Sequence, residues 1–430
     1  MSRLAYINAR LIDPASGLDQ PGGVLSEDET IIDVGAGLFA DGAPADIPTI
    51  DCGGHCLMPG LVDMRVQLRE PGEEHKGTLE SECRAATVGG ITSIVCLPNT
   101  DPVIDDMSVL EFVARRARKL GLAKVYPYGA VTKGLKGEEL AEMGMLAEAG
   151  ALAFTDAVKP IGDARIMQRA LSYATTFGLM IIQHAENPSL ARGGVMNAGE
   201  TATRLGLPGI PRQAEVIMVE RDLHLVRMTG GRLHFGHLST ALAVDAVRRA
   251  KAEGLAVTCD TAPPYFALNE TSIGDYRTFA KLSPPLRLEE DRQAIVEGLK
   301  DGTIDAIASD HAPQDEESKR LPFGDAAFGG VGLETLLAIT LELYHNGHMS
   351  LIEALKPVTA APAGLLGLEA GRLEVGAPAD MILIDPGRAW KIVADKMQSI
   401  SKNSPFDGRP VQGQVLRTVI DGRTVYDHAH

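Results

Sequence analysis

Aromatic side chains are scarce in this sequence: phenylalanine, tryptophan and tyrosine together make up 4% of 430 residues, and tryptophan occurs once. That composition suits close helix-on-strand packing through alanine and glycine, but it points to no activity. Cysteine is rare too. The five (Cys52, Cys56, Cys83, Cys96 and Cys259) are odd in number and irregularly spaced, which argues against a secreted disulfide framework and suits reduced thiols in a cytosol. No uncharged apolar run approaches the roughly 18 residues that a membrane helix requires. The opening "MSRLAYINARLIDP" alternates like a strand and lacks the charged-then-apolar build of a signal peptide. A soluble cytoplasmic protein is expected. Positive charge is in deficit, with 41 Lys and Arg against 57 Asp and Glu for a net −16. No basic block overrides this locally, so nucleic acid is not an expected partner.

What the chain does have is alternation. Short apolar runs and charge-bearing helical segments succeed one another for about 250 residues, the pattern of parallel strands joined by crossover helices. Eight candidate strands are "LVDMRVQL" (61 to 68), "ITSIVCL" (91 to 97), "KVYPYGA" (124 to 130), "ALAFT" (151 to 155), "LMIIQH" (179 to 184), "RLHFGH" (232 to 237), "LAVTC" (255 to 259) and "IDAIAS" (304 to 309). Eight such units predict an α/β fold, a (β/α)8 TIM-type barrel with its chemistry at the C-terminal rim. Strand-and-turn segments before and after that span are too few on each side to bury a face alone. They predict a small composite β-sandwich domain built from both termini, residues 1–55 plus 367–430, beside a barrel of residues 56–366.

Polar residues fall at the ends of the predicted strands: Asp156 after the fourth, His184 closing the fifth, His237 closing the sixth and Asp310 after the eighth. Asp156, His184 and His237 offer one carboxylate and two imidazoles, and leave a fourth position open for water, as a catalytic zinc requires.

Several long stretches then carry a family resemblance. "REPGEEHKGTLESECRAATVGGITSIVCLPNTDP" (69 to 102), "HFGHLSTALAV" (234 to 244), "SPPLRLEEDRQAIVEGLKDGTIDAIASDHAP" (283 to 313), "AFGGVGLET" (327 to 335) and "SPFDGRPVQGQVLRTVIDGRTVY" (404 to 426) resemble dihydroorotases of the amidohydrolase superfamily. The resemblance implies metal ligation by Asp156, His184 and His237. It implies a metal-binding and proton-moving role for Asp310. It assigns the substrate carboxylate to Arg69 and Asn99, and a backbone contact with the pyrimidine ring to Phe328 and Gly329.

The departures from the family pattern are concentrated in the same place. Two histidines expected after Asp63 are Arg65 and Gln67, an expected asparagine is Ser283, an expected histidine is Gln314, and the lid stretch carries Pro264 and Tyr265. Glutamine is a poor zinc ligand, and a guanidinium stays protonated and cannot be one. Two unit charges 4 Å apart cost about 4 kcal/mol at an effective dielectric of 20. A second metal site is therefore expected to be absent, with Arg65 pairing with Asp310 instead and weakening it as a proton acceptor. At most one divalent metal, zinc by the ligand types, is expected.

Plainer roles stand beside these. Asp310 and His311 can serve as strand-end caps. "CGGHC" (52 to 56) lacks the second ligand pair of a zinc site. His75 belongs to the loop after the first strand, His234 is expected to face the outer layer, three residues before His237, and His345, His348, His428 and His430 are expected at the surface. Two functional readings follow. In the first, a dihydroorotase-like protein no longer catalyses and serves as a partner of aspartate carbamoyltransferase, an assembly implied by the resemblance alone, as is a homodimer. In the second, a single-metal enzyme interconverts N-carbamoyl-L-aspartate and dihydroorotate, or hydrolyses another cyclic amide.

Overall fold

The computed structural model describes residues 3–40 and 42–428; residues 1, 2, 41, 429 and 430 lie outside it, and the expectation for His430 with them. Each of the eight candidate strands is present, here labelled β1 to β8: Leu61–Val66, Ile91–Cys96, Lys124–Pro127, Phe154–Thr155, Met180–His184, Arg232–Gly236, Val257–Thr261 and Ala306–Ile307. β1, β2 and β3 pair in parallel, as do β4 to β8 in chain order. Parallel bridges between Gly129 and Phe154 and between Val66 and His311 close the circle. The result is the (β/α)8 TIM-type barrel that the alternation predicts.

Period-two alternation sorts the strand side chains into two layers. Ile94, Ile181, Phe235, Cys259 and Ile307 face outward into the main core, against helix residues such as Leu171, Val219, Val247 and Leu299. Met180 and Ile182, on the other face of β5, join Tyr128, Ala306 and Ala308 in a second cluster. His184 continues the Met180–Ile182 face, which directs it toward the barrel axis.

The flanking segments share a single eight-stranded mixed sheet. Arg3–Asp13 lies at its centre, paired with Leu18–Glu27, Thr49–Asp51 and Cys56–Pro59, and Met381–Lys391 and Pro410–Ile420 continue it from the far end of the chain. It has its own core of Tyr6, Leu11, Val24, Leu57, Leu383 and Val419. A partly buried electrostatic clasp ties it to the barrel: Lys124 Nζ on β3 lies 2.8 Å from Asp380 Oδ2 and 2.7 Å from Asp421 Oδ1. Replacing Lys124 with alanine leaves the buried Asp380 carboxylate without a counter-ion. Because the lysine is partly solvated, the expected loss is about 2 kcal/mol, below that of a fully buried pair. Urea unfolding measures it, and Lys124→Arg should retain most of the stability.

All five cysteines are free and buried. In the "CGGHC" stretch Cys52 Sγ lies near the Ile50 carbonyl and His55 lies 3.9 Å from Asp385, with no metal-like convergence. No helix among the described residues is long and apolar enough to cross a membrane.

Candidate active site

The rim of the barrel is built on unusual backbone. Arg69, Ala157, His237 and Asp310 adopt positive φ values of 64°, 60°, 42° and 51°, a region that non-glycine residues enter at a cost and that clusters at functional sites. These turns swing the residues following β1, β4, β6 and β8 over the mouth. The turn at His237 also overturns the expectation for His234. Regular alternation across three residues would separate the two side chains, but the strand ends at Gly236 and His237 breaks the alternation. His234 shares the face of Gly236, where an added Cβ would meet Arg65 Nη1 at 3.0 Å. It is fully buried, with Nε2 2.8 Å from Asp260 Oδ2 and Nδ1 2.8 Å from Thr258 Oγ1.

At the centre stands Arg65, 2% exposed. Its Nε donates to Asp310 Oδ1 at 3.0 Å and its Nη2 to the Ala157 carbonyl at 3.1 Å. The pairing expected from the sequence is present, and glycine at 236 makes room for it. Asp310's second oxygen lies 3.0 Å from His237 Nδ1, a contact too poorly aligned to count as a hydrogen bond. Burial opposes ionisation of Asp310, but the His237 ring and the Arg65 guanidinium outweigh it and hold the carboxyl below its ordinary range. Burial pushes the His237 imidazole down to about 4, and Arg65 acts in the same direction. Beneath them Asp63 accepts from the Ser309 and Arg65 backbone N–H groups. Its carboxyl is raised to about 6 by burial.

The three residues expected to ligate a metal do not form a ligand set. Asp156 turns to the loop after β3, where Oδ1 accepts from the N–H groups of Val131 and Thr132 at 3.1 and 2.9 Å and Oδ2 from Thr132 Oγ1 at 2.5 Å. Its carboxyl is nevertheless raised, because burial outweighs these bonds. His184 Nδ1 and His237 Nε2 lie 2.7 Å apart and bond to each other. Among the described residues no cluster of three or more His, Cys, Asp or Glu is arranged to hold a metal ion. With a guanidinium anchored among them, the donors present do not fit the divalent metal that the resemblance implies.

The residues expected to hold substrate are equally engaged. Arg69 donates to the Pro313 carbonyl and to Glu73. Asn99 Nδ2 donates to Gln67 Oε1 at 3.0 Å. The Phe328 carbonyl accepts from Gln314 Nε2 at 2.8 Å, and the Gly329 N–H donates to the Lys281 carbonyl. The departures therefore meet the retained residues one by one: Arg65 takes Asp310, Gln67 takes Asn99, and Gln314 takes the Phe328 carbonyl. Tyr265, buried in the altered lid, donates to the carbonyl of Pro284, next to Ser283.

Sequence reasoning missed Thr132, which holds Asp156, and the pair Glu215 and Arg287, which underlies the segment after His237. No local signal marks them. His75 is exposed, 4.0 Å from Asp315. His311 is a fully buried structural residue, its Nε2 2.8 Å from Glu82 and its Nδ1 accepting from the Gly332 N–H.

The Dihydro-orotase-like family profile matches residues 54–242, and an Amidohydrolase family profile matches residues 226–426. A dihydroorotase of Anaplasma phagocytophilum is 48% identical over 98% of this chain and 95% of its own length. One from Syntrophotalea carbinolica is 46% identical over 99% of each. Among solved structures, the L-hydantoinase (dihydropyrimidinase) of Arthrobacter aurescens covers 99% of this chain and 96% of its own at 27% identity, with a TM-score of 0.87.

Proposed function

This chain belongs to the dihydroorotase family of amidohydrolases, and from that premise we propose that it keeps the family's architecture without its catalysis, acting as a non-catalytic partner of aspartate carbamoyltransferase in pyrimidine biosynthesis. The observation that carries the first half is the ion pair between Arg65 and Asp310 at 3.0 Å, in the place where the family resemblance puts metal-binding histidines. A general base must be free to accept a proton and must have the basicity to do so. Asp310 has one oxygen held by a guanidinium and the other against an imidazole, and its basicity is lowered. Binding of a cyclic amide would further require Arg69, Asn99 and the Phe328 carbonyl to exchange existing partners within the chain for substrate. Each exchange cancels part of the gain from the new contact.

The assembly half rests on the family resemblance, as does a homodimeric state in the cytoplasm. The architecture supports a scaffold role in one respect: the strained rim, the closed barrel and the composite sheet are all retained around the altered pocket. The test is an assay in both directions, with N-carbamoyl-L-aspartate and with dihydroorotate, each with and without added zinc, alongside gel filtration with aspartate carbamoyltransferase. The expected outcome is no turnover above background and co-elution with the transferase. Zinc-dependent turnover would establish the single-metal enzyme instead, and hydrolysis of a different cyclic amide would reassign the substrate.

A further inference from the structure

The segment between the end of β8 and Gly330 is built as a strap whose two ends meet. The Ala312 N–H donates to the Gly330 carbonyl at 2.8 Å, and Gln314 Nε2 reaches the Phe328 carbonyl. Asn403, from the terminal part of the chain, clamps the same ends, its Nδ2 donating to the carbonyls of Ala312 and Gly329. Compact surface loops with adjacent ends are where function and local opening concentrate. This one starts just after Asp310, and Arg69 donates to its Pro313 carbonyl, which places it at the mouth of the barrel. Between residues 314 and 329 only Lys319, Phe323 and Ala326 are buried. Apolar burial therefore does little to hold the strap down.

What holds it is a reciprocal pair of lysines, Lys319 on the strap and Lys281 on the segment facing it, each 2% exposed. Lys319 Nζ donates to the carbonyls of Thr278 and Ala327 at 2.9 and 2.7 Å. Lys281 Nζ donates in the other direction, to the carbonyls of Phe323 and Gly324 at 2.8 Å each, and lies 4.6 Å from the centre of the Phe328 ring. The Thr278 hydroxyl donates to the Lys319 carbonyl and the Gly329 N–H to the Lys281 carbonyl. Neither ammonium has an ion-pair partner among the described residues; Asp325 is the one acid acting on Lys281, and none acts on Lys319. A buried ammonium recovers from carbonyls much of what it loses on leaving water, and little more. A closure built on that exchange stays close to balance, where apolar packing would fix it shut. We propose that residues 314–329 open and close as one unit over the barrel mouth, with Lys281 and Lys319 as the latch. Burial, with Lys281 adding to it, pushes the Lys319 amine down to about 7, in keeping with a closed state that favours this charge weakly. The inference is independent of whether the barrel site catalyses.

Native-state hydrogen exchange on the full chain tests this. The amides of Ser318, Lys319, Ala326, Ala327 and Gly329, all hydrogen-bonded within or under the strap, should share one protection factor, well below that of β5 and β6. Lys281→Met and Lys319→Met should each speed exchange at all of these amides roughly tenfold, the equivalent of one lost hydrogen bond to a charged group, and leave the barrel strands unchanged. Lys281 lies outside the strap, so its effect on Ser318 and Lys319 separates a moving unit from a local contact. Carbethoxylation by diethyl pyrocarbonate, read by peptide mass spectrometry, reports on the mouth itself. His184 and His237, 2% and 1% exposed, should react faster in both variants by a common factor, while His234 in the barrel interior should not. Should one variant fail to fold, the other and the exchange pattern of the parent still decide. The proposal is overturned if the strap amides of the parent exchange with unrelated protection, if a variant speeds only the amides beside the substituted lysine, or if the two imidazoles react at the parental rate.

Discussion

Replacing Arg65 with leucine is expected to destabilise the protein by about 3 kcal/mol, although leucine preserves apolar bulk in the barrel. Removing one member of a buried ion pair costs about 3 to 5 kcal/mol because the surviving charge stays in a poorly polarisable environment. The Asp310 side chain is 17% exposed, which places the expectation at the lower end. The Ala157 carbonyl loses its donor as well. Replacing both members, Arg65→Leu with Asp310→Leu, removes the orphaned charge and should recover most of the loss, since apolar replacement of a buried pair is often neutral. Urea unfolding followed by Trp390 fluorescence gives all three values. A single Arg65→Leu variant within about 0.5 kcal/mol of the parent, the range of inconsequential surface changes, would show that the pair contributes nothing to the fold.

The second large effect is expected at Glu215, on the helix Gln213–Thr229. Its 1%-exposed carboxylate accepts from the backbone N–H groups of Ser239 and Thr240 and from both of their hydroxyls, with Arg287 3.9 Å away. Thr240 in turn caps the helix Ala241–Ala252. Glu215→Ala leaves these buried donors without an acceptor and Arg287 without its nearest acid, at a cost of about 4 kcal/mol. Glu215→Gln keeps one acceptor oxygen and should cost less. Hydrogen exchange adds a local readout: the amides of residues 238 to 243 should lose protection in the alanine variant before the terminal sheet does. Equal protection throughout would mean that the segment after His237 is held by packing alone.

These two residues mark the boundary of what is legible in the sequence. Arg65 is conspicuous because alternation along β1 aligns it with Asp63 and Gln67, and its partner follows from charge: a carboxylate at the end of β8 needs a cation. The eight strands are legible for a similar reason, since apolar runs between helical segments have a length and a period. Glu215 carries no such mark. A glutamate in a charged helix looks like a solvated side chain, and only tertiary packing turns that face onto the loop after β6. Asp156 shows the same limit from the other side. Its position after β4 is visible in the sequence, but its rotation toward Thr132 depends on the conformation of the loop after β3. The expectation for His234 fails because alternation does not carry through His237, whose φ is positive. The partners of Gln67 and Gln314 were invisible for want of distances: each departure could be seen as a loss, but not as a new bond to the residue left behind.

That pairwise pattern is the physical content of the functional reading. Random decay would leave Asp310, Asn99 and the Phe328 carbonyl pointing into a vacated pocket, and buried polar groups without partners are costly. Here the altered residues themselves satisfy the retained ones.

The most direct measurement is the zinc content of the parent protein and of the Arg65→His, Gln67→His double variant, purified identically and equilibrated with zinc before mass-spectrometric metal analysis. If the guanidinium stands where a cation would otherwise be held, the parent retains far less than one equivalent and the double variant retains at least one. A parent chain carrying a full equivalent that survives dialysis, with no gain in the variant, would contradict the account at its centre.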